Sequence, residues 1–185
     1  MWWPTSPGPF DSVVLVTMPP WILLLSGSSP SGKSSLGREI LGLVSAPTVL
    51  IEADTAFPAV HAWSSASALF PPIVVFHRSV AAWSHGGSNV ILDGSLPYDD
   101  HVLRQRCLQE LPHDRTFIVA VERSAEELRR RESSRAQPRP RGWAERQALN
   151  INDGLRLVVT IDTTNGRTAD HARDVLAALD QAPSP

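Results

Sequence analysis

Apolar residues along this chain gather in short runs, separated by stretches with a helical repeat. The runs are Trp21-Ile22-Leu23-Leu24-Leu25, Thr48-Val49-Leu50-Ile51, Asn89-Val90-Ile91-Leu92, Thr116-Phe117-Ile118-Val119-Ala120-Val121 and Leu157-Val158-Val159-Thr160-Ile161. They are apolar nearly throughout and do not alternate, which predicts strands covered on both faces, as in a parallel sheet. Between them, Leu36, Ile40, Leu43 and Val44 recur at i, i+4, i+7 and i+8, the spacing of an amphipathic helix. Phe76, Val80 and Trp83 mark one face of a second helix that Gly86-Gly87 ends. Asp99 or Asp100 caps a helix running to Leu111, and Ser124-Ala125-Glu126-Glu127 has the spacing of a capping box. Thr168 stands where it would cap a last helix, with Ala172, Val175, Leu176 and Leu179 turned inward. Strands alternating with helices predict an α/β domain with a doubly wound, parallel five-stranded sheet. There is no internal repeat and no heptad run.

The pattern starts at residue 21, and the 185 residues suffice for one domain with a substantial core, expected over 21–181. Residues 1–20 read differently. Met1 to Phe10 is rich in proline and tryptophan and carries no basic residue, so a disordered extension or an upstream start codon is expected for residues 1–17. Val13-Val14-Leu15-Val16 lacks the positive flank and the length of a secretory signal, and no stretch approaches the roughly 18 apolar residues of a membrane span. The Ala182-Pro183-Ser184-Pro185 tail reads as frayed. A formal charge of -2 argues against nucleic acid as a partner. The single cysteine, Cys107, excludes an internal disulfide and fits a reducing cytoplasm. Its neighbours Leu103, Leu108 and Leu111 make it a core residue rather than a nucleophile.

Chemistry concentrates after the first run. Gly27-Ser28-Ser29-Pro30-Ser31-Gly32-Lys33-Ser34 is a complete G-x-x-x-x-G-K-[ST] loop, followed by Ser35, between a predicted strand and a predicted helix. Backbone N–H groups and a helix N-terminus in that arrangement cradle phosphates. Lys33 is the only lysine, every other basic residue being arginine. A compact ammonium on a flexible stem can follow a phosphoryl group in transfer, a task that suits a planar guanidinium poorly. The expected ligand is a nucleoside triphosphate.

Asp93 ends Val90-Ile91-Leu92-Asp93, an apolar run closed by a carboxylate. With the Ser34 hydroxyl it is expected to hold Mg²⁺, a hard cation bound by one or two carboxylates, phosphate oxygens and water. The alternative for Asp93 is a cap on the turn at Gly94-Ser95. Asp54 follows the second run, where small-molecule kinases of this type have the acceptor hydroxyl facing the γ-phosphate. It is the expected general base, an N-cap role being the alternative. Glu52 is the nearby alternative for the base, and two residues of extended chain would put both carboxylates on one face.

From Arg123 to Arg146 there are eight arginines against four glutamates. A helix, a Pro-interrupted segment and a second helix over about 124–150 predict a lid whose guanidinium groups neutralise charge on the β- and γ-phosphates and whose closure excludes water. Arg135 and Arg139 are the expected contributors, with Arg129 to Arg131 mixed between that role and solvent. Pro138 and Pro140 stiffen the segment, so closure is expected to hinge at its ends. Asp162-Thr163-Thr164-Asn165-Gly166 follows the fifth run, where loops often pass an adenine base. The histidines have no metal-ligand spacing.

Taken together, these pieces resemble the chloramphenicol phosphotransferase-like family of P-loop kinases. The resemblance runs from about residue 21 to 180. It is carried by Leu25-Ser26-Gly27-Ser28-Ser29-Pro30-Ser31-Gly32-Lys33-Ser34-Ser35, Asp54, Asn89-Val90-Ile91-Leu92-Asp93, Val121-Glu122-Arg123-Ser124, Glu126 to Arg135, Trp143-Ala144-Glu145-Arg146-Gln147 and Ile161-Asp162-Thr163-Thr164. It implies transfer of the γ-phosphate of ATP to a hydroxyl of a small molecule, as in chloramphenicol 3-O-phosphotransferase. The segment between Asp54 and Val75 is shorter than the namesake's substrate-covering insertion, and Arg135-Ala136-Gln137-Pro138-Arg139 replaces the family's Arg-Gly-Asp-Arg. Phe57, Trp63 and Trp83 offer an apolar acceptor pocket, with core packing the alternative for Trp83. Two other readings stay open: a nucleotide-binding switch with slow hydrolysis, and a kinase of a nucleoside or other metabolite.

Overall fold

The computed structural model of the chain describes residues 19–56, 71–94, 96–134 and 142–182. Phe57, Trp63, Arg135, Arg139, the expected extension over 1–17 and residues 183–185 lie outside the described residues.

Five strands form one parallel sheet: β1 (Ile22–Ser26), β2 (Thr48–Glu52), β3 (Asn89–Asp93), β4 (Thr116–Glu122) and β5 (Leu157–Asp162). Their order is β2-β3-β1-β4-β5. The helices between them are α1 (Lys33–Leu43), the single-turn α2 (Ala53–Ala56), α3 (Pro72–His85), α4 (His101–Gln109), α5 (Ala125–Ser133), α6 (Trp143–Asn150) and α7 (Thr168–Gln181). Strand β1 is central because both of its faces are apolar. Leu23 and Leu25 pack with Leu36 and Ile40 of α1 and with Val175, Leu176 and Leu179 of α7. Ile22 and Leu24 point the other way, to Val74 and Val80 of α3 and Cys107 of α4. At roughly 1.5–3 kcal/mol for each fully buried aliphatic side chain, these two cores outweigh any surface contact in the molecule. Chain order changes direction at β1, so the carboxyl ends of β1, β3 and β4 border the crevice where open parallel sheets place ligands.

The expected strands all form, and the helices differ in detail. Asp100, rather than Asp99, caps α4 by accepting from Leu103 N at 2.8 Å, and Leu111 is buried just beyond the helix end. Ser124 caps α5. Thr168 does not cap α7. It is the first helical residue, and Arg167 occupies the cap position without a side-chain bond. Val44 follows the end of α1. Trp83 is 53% exposed, because the buried stripe of α3 runs through Val74, His77, Val80, Ala81 and Ser84. Ser84, one residue on, takes the inward position and its hydroxyl donates to Pro20 O at 3.2 Å. Cys107 is a core residue, and burial pushes its thiol up to about 12.

His77 is fully buried on α3, with Nδ1 2.7 Å from Ile73 O. A carbonyl can only accept, so Nδ1 carries the proton. Burial lowers its pKa, although the Ile73 bond and the Glu110 charge oppose the shift. A histidine whose folded pKa lies below its ordinary value of about 6.5 binds fewer protons than the unfolded chain does, so stability falls as pH drops through that value. We expect the melting temperature of wild type to decline from pH 7 to pH 5 more steeply than that of His77→Gln, as thermal unfolding across pH would record. Parallel curves would exclude His77 as the titrating group.

Candidate active site

The loop after β1 is shaped by contacts that leave little choice of residue. A Cβ on Gly27 would lie 2.2 Å from Val121 O and 2.8 Å from Ser31 Oγ, so the loop can pass β4 only with glycine there. Gly32 has φ 104° at the N-cap of α1, left-handed backbone that a side chain disfavours. Between them the Ser31 amide donates to Ser28 O at 3.0 Å. The buried Lys33 ammonium folds across the loop and donates to Gly27 O at 2.8 Å and Ser28 O at 3.0 Å.

Ser34 Oγ donates to Asp93 Oδ2 at 2.5 Å. Asp93 ends β3 in register with Leu25 of β1 and Glu52 of β2. Burial pushes its carboxyl above the usual carboxylate range, while the Lys33 charge and the Ser34 hydroxyl pull it down and Glu52 and Asp54 add to the upward push. One buried carboxylate beside one hydroxyl is a small set of hard oxygen donors. It suits Mg²⁺, which keeps several waters and shares phosphate oxygens. Among the described residues no three His, Cys, Asp or Glu side chains cluster as a metal cage would.

Asp54 differs from expectation in its local structure. Strand β2 stops at Glu52 and α2 begins at Ala53, so the chain joining the two carboxylates is helical, not extended. They are not related by the two-residue period of a strand. Glu52 is engaged by Arg38 at 2.6 Å, whereas Asp54 is exposed in the first turn of α2. Its charge nonetheless acts on Asp93, so Lys33, Ser34, Asp93 and Asp54 gather at one end of the sheet. Arg135 and Arg139 are not among the described residues.

One further residue here, Arg123, was given no individual role from sequence. Arg123, the first residue after β4, donates through Nε to Thr163 Oγ1 at 3.0 Å and through Nη2 to Thr163 O at 2.5 Å. Thr163 Oγ1 donates in turn to Ser31 O at 2.5 Å. Ser124 N donates to Thr164 Oγ1 at 2.8 Å, and Thr164, by hydroxyl and amide, holds the Asp162 carboxyl below its usual range. These bonds build a polar cavity of about 350 Å³ beside Gly32, bordered by Ser35, Arg123, Arg130, Arg131, Thr164 and His171. Position at a strand end was the sequence signal for Arg123.

The two helices flanking the arginine-rich segment are tied to this centre. The Glu132 carboxylate accepts from Gly142 N and Ala144 N, each at 3.0 Å, and so joins the end of α5 to the start of α6. Gln147 Oε1 accepts from Ser29 N at 2.8 Å, and Asn152 Oδ1 accepts from Ser26 Oγ at 2.7 Å. Trp143 meets Tyr98 edge to face, with ring centroids 5.8 Å apart. The buried Arg104 donates to the carbonyls of Pro97, Tyr98, Asn150 and Asp153, which joins the loop after β3 to the end of α6. Arg129 pairs with Glu145 at 3.4 Å and Arg130 with Glu127 at 2.7 Å.

A five-stranded parallel sheet with a phosphate loop at its switch point and helices on both faces defines a P-loop kinase fold. Solved structures agree. A sugar kinase from Janibacter sp. aligns over 89% of this chain and 97% of its own, at 17% identity and TM-score 0.65. A gluconokinase from Sinorhizobium meliloti aligns over 88% and 93%, at 21% identity and TM-score 0.62. The APS kinase CysC of Mycobacterium tuberculosis, solved with AMPPNP and APS, aligns over 88% and 98%, at 12% identity and TM-score 0.62. At these identities the likeness establishes the fold. No curated protein matches the sequence. The profile of chloramphenicol phosphotransferase-like proteins matches residues 21–180, and the chain belongs to that family. No helix among the described residues is long and apolar enough to cross a membrane.

The contact at Gly27 gives a direct test of the loop geometry. Gly27→Ala must push a backbone carbonyl aside, and we expect it to lower unfolding free energy by about 1–3 kcal/mol in urea titration. An unchanged midpoint would mean that the loop does not pass this close to β4.

Proposed function

We propose that the protein is a kinase that moves the γ-phosphate of ATP, in the presence of Mg²⁺, to a hydroxyl of a small molecule. The observation that carries this is the gathering of Lys33, the Ser34–Asp93 pair and Asp54 at one mouth of the sheet. In this reading Gly27 to Ser35 cradle the phosphates and Lys33 leaves its carbonyl partners to bridge them. Ser34 and Asp93 hold Mg²⁺, which when bound offsets phosphate charge. The nucleoside lies in the polar cavity beside Gly32 that Arg123, Arg130, Thr164 and His171 border. Asp54 accepts the proton of the acceptor hydroxyl as its oxygen forms a bond to the γ-phosphorus. The bond from that phosphorus to the β,γ-bridging oxygen breaks, and ADP leaves. Arg135 and Arg139 complete the neutralisation from the lid.

An apolar groove of about 810 Å³ supports an acceptor with an apolar body. It runs along β2 and α3, bordered by Ile51, Pro72, Phe76 and Trp83, and Thr55 of α2 lines it beside Asp54. Trp83, exposed rather than in the core, thus has a surface to offer a ligand, in line with resemblance to chloramphenicol 3-O-phosphotransferase.

Incubation with γ-labelled ATP and a panel of hydroxylated metabolites and antibiotics, chloramphenicol among them, tests the activity. With an accepted substrate, Asp54→Asn should lower kcat roughly 10²–10⁴-fold, with KM for ATP nearly unchanged. Full transfer by that variant would remove Asp54 as the base. Tight nucleotide binding with no phosphorylated product would instead favour a switch.

A further inference from the structure

Ser29-Pro30-Ser31, the middle of the phosphate loop, is held from two sides by side chains that neither β1 nor α1 supplies. From α6, Gln147 Oε1 accepts the Ser29 N–H at 2.8 Å across 118 residues of sequence. A backbone N–H can only donate, which fixes the amide oxygen as its partner. From the turn after β5, Thr163 Oγ1 donates to Ser31 O across 132 residues, and Arg123 Nε sets the orientation of that hydroxyl. Pro30, between the two, has its φ locked near -65° by the ring and carries no N–H. The course of the loop between its glycines is therefore set in part by bonds that originate outside it, beside the Ser31–Ser28 and Lys33 bonds within it.

Plain docking of α6 does not account for the Gln147 bond. That helix is already anchored at its start by the Glu132 carboxylate and at its end by Arg104, with Asn152 on Ser26 just beyond. Gln147 lies between these anchors and reaches a main-chain amide of the loop itself. We infer that Gln147 is a positioning residue for the phosphate tail of the nucleotide: with Thr163 opposite, it holds Ser29-Pro30-Ser31 in the shape that receives the phosphates before the ligand arrives. The inference rests on the kinase reading above. Its physical content is preorganisation, since a loop already in its bound shape spends less binding energy on ordering.

Calorimetric titration of wild type, Gln147→Met and Gln147→Glu with MgADP, AMP and adenosine tests it. Methionine keeps length without an acceptor, and glutamate keeps an acceptor oxygen at the same reach. Gln147→Met should bind MgADP about tenfold more weakly, with adenosine affinity within about twofold of wild type and little change in melting temperature. Gln147→Glu should bind MgADP more tightly than Gln147→Met in salt that screens its added charge. MgADP affinity in Gln147→Met equal to wild type, or loss of MgADP and adenosine by the same factor, would overturn the inference. Wild type that takes up no MgADP would defeat the kinase reading as well, so the two failures are distinct. If Gln147→Met does not fold, hydrogen exchange at the Ser29 amide of the ligand-free wild type decides: slow exchange supports the bond, and exchange at the unfolded rate removes it.

Discussion

A buried ammonium organises this molecule. Lys33 turns back over the loop that carries it and meets the carbonyls of Gly27 and Ser28, while its charge reaches the buried Asp93. A lone charge this deep would cost several kcal/mol, so each partner is needed to keep the other ionised in place. The surroundings follow. Gly27 must be bare for the loop to pass Val121, and Gly32 and Gly94 must both accept left-handed backbone, at φ 104° and 83°. Strand β1 has to be central and apolar on both faces to hold such a loop still.

The carbonyl bonds of Lys33 also give the loop a resting state that a phosphate can replace. The two carbonyl acceptors are neutral, so their exchange for phosphate oxygens gains charge-assisted bonds. Asp93 has the matching property. Burial and its acidic neighbours make its negative charge expensive, and a bound cation relieves that cost.

Distant parts of the chain converge on the same few atoms. Arg104, buried with no carboxylate partner among the described residues, spreads its charge over four carbonyls and so binds the loop after Asp93 to the end of α6. Glu132 closes the base of the arginine-rich excursion. Through Gln147, Asn152 and Thr163, the second half of the chain holds a loop encoded in the first. Helix α6 is therefore part of the floor of the site.

What could be read from the residues in order was local. Five apolar runs became five strands: β1, β3 and β4 are covered on both faces and apolar nearly throughout, while β2 and β5, at the sheet edges, are only half-buried. The glycines, lysine and serine of the phosphate loop announced themselves because backbone geometry and phosphate chemistry allow few substitutes, and Asp93 because a carboxylate closing such a strand stands at the sheet's carboxyl edge. The misreadings came where one residue of phase matters. Trp83 sits a single helical step from the buried stripe that Ser84 completes, and Asp54 sits past a strand end where the chain coils into α2. The clasp of Gln147 on Ser29, of Thr163 on Ser31 and of Arg104 on its carbonyls left no trace in periodicity. Apart from the bonds of Arg104 to Pro97 and Tyr98, these join residues dozens to more than a hundred positions apart, and their partners are main-chain atoms, so nothing in the order of side chains marks them. Folding alone brings them within reach.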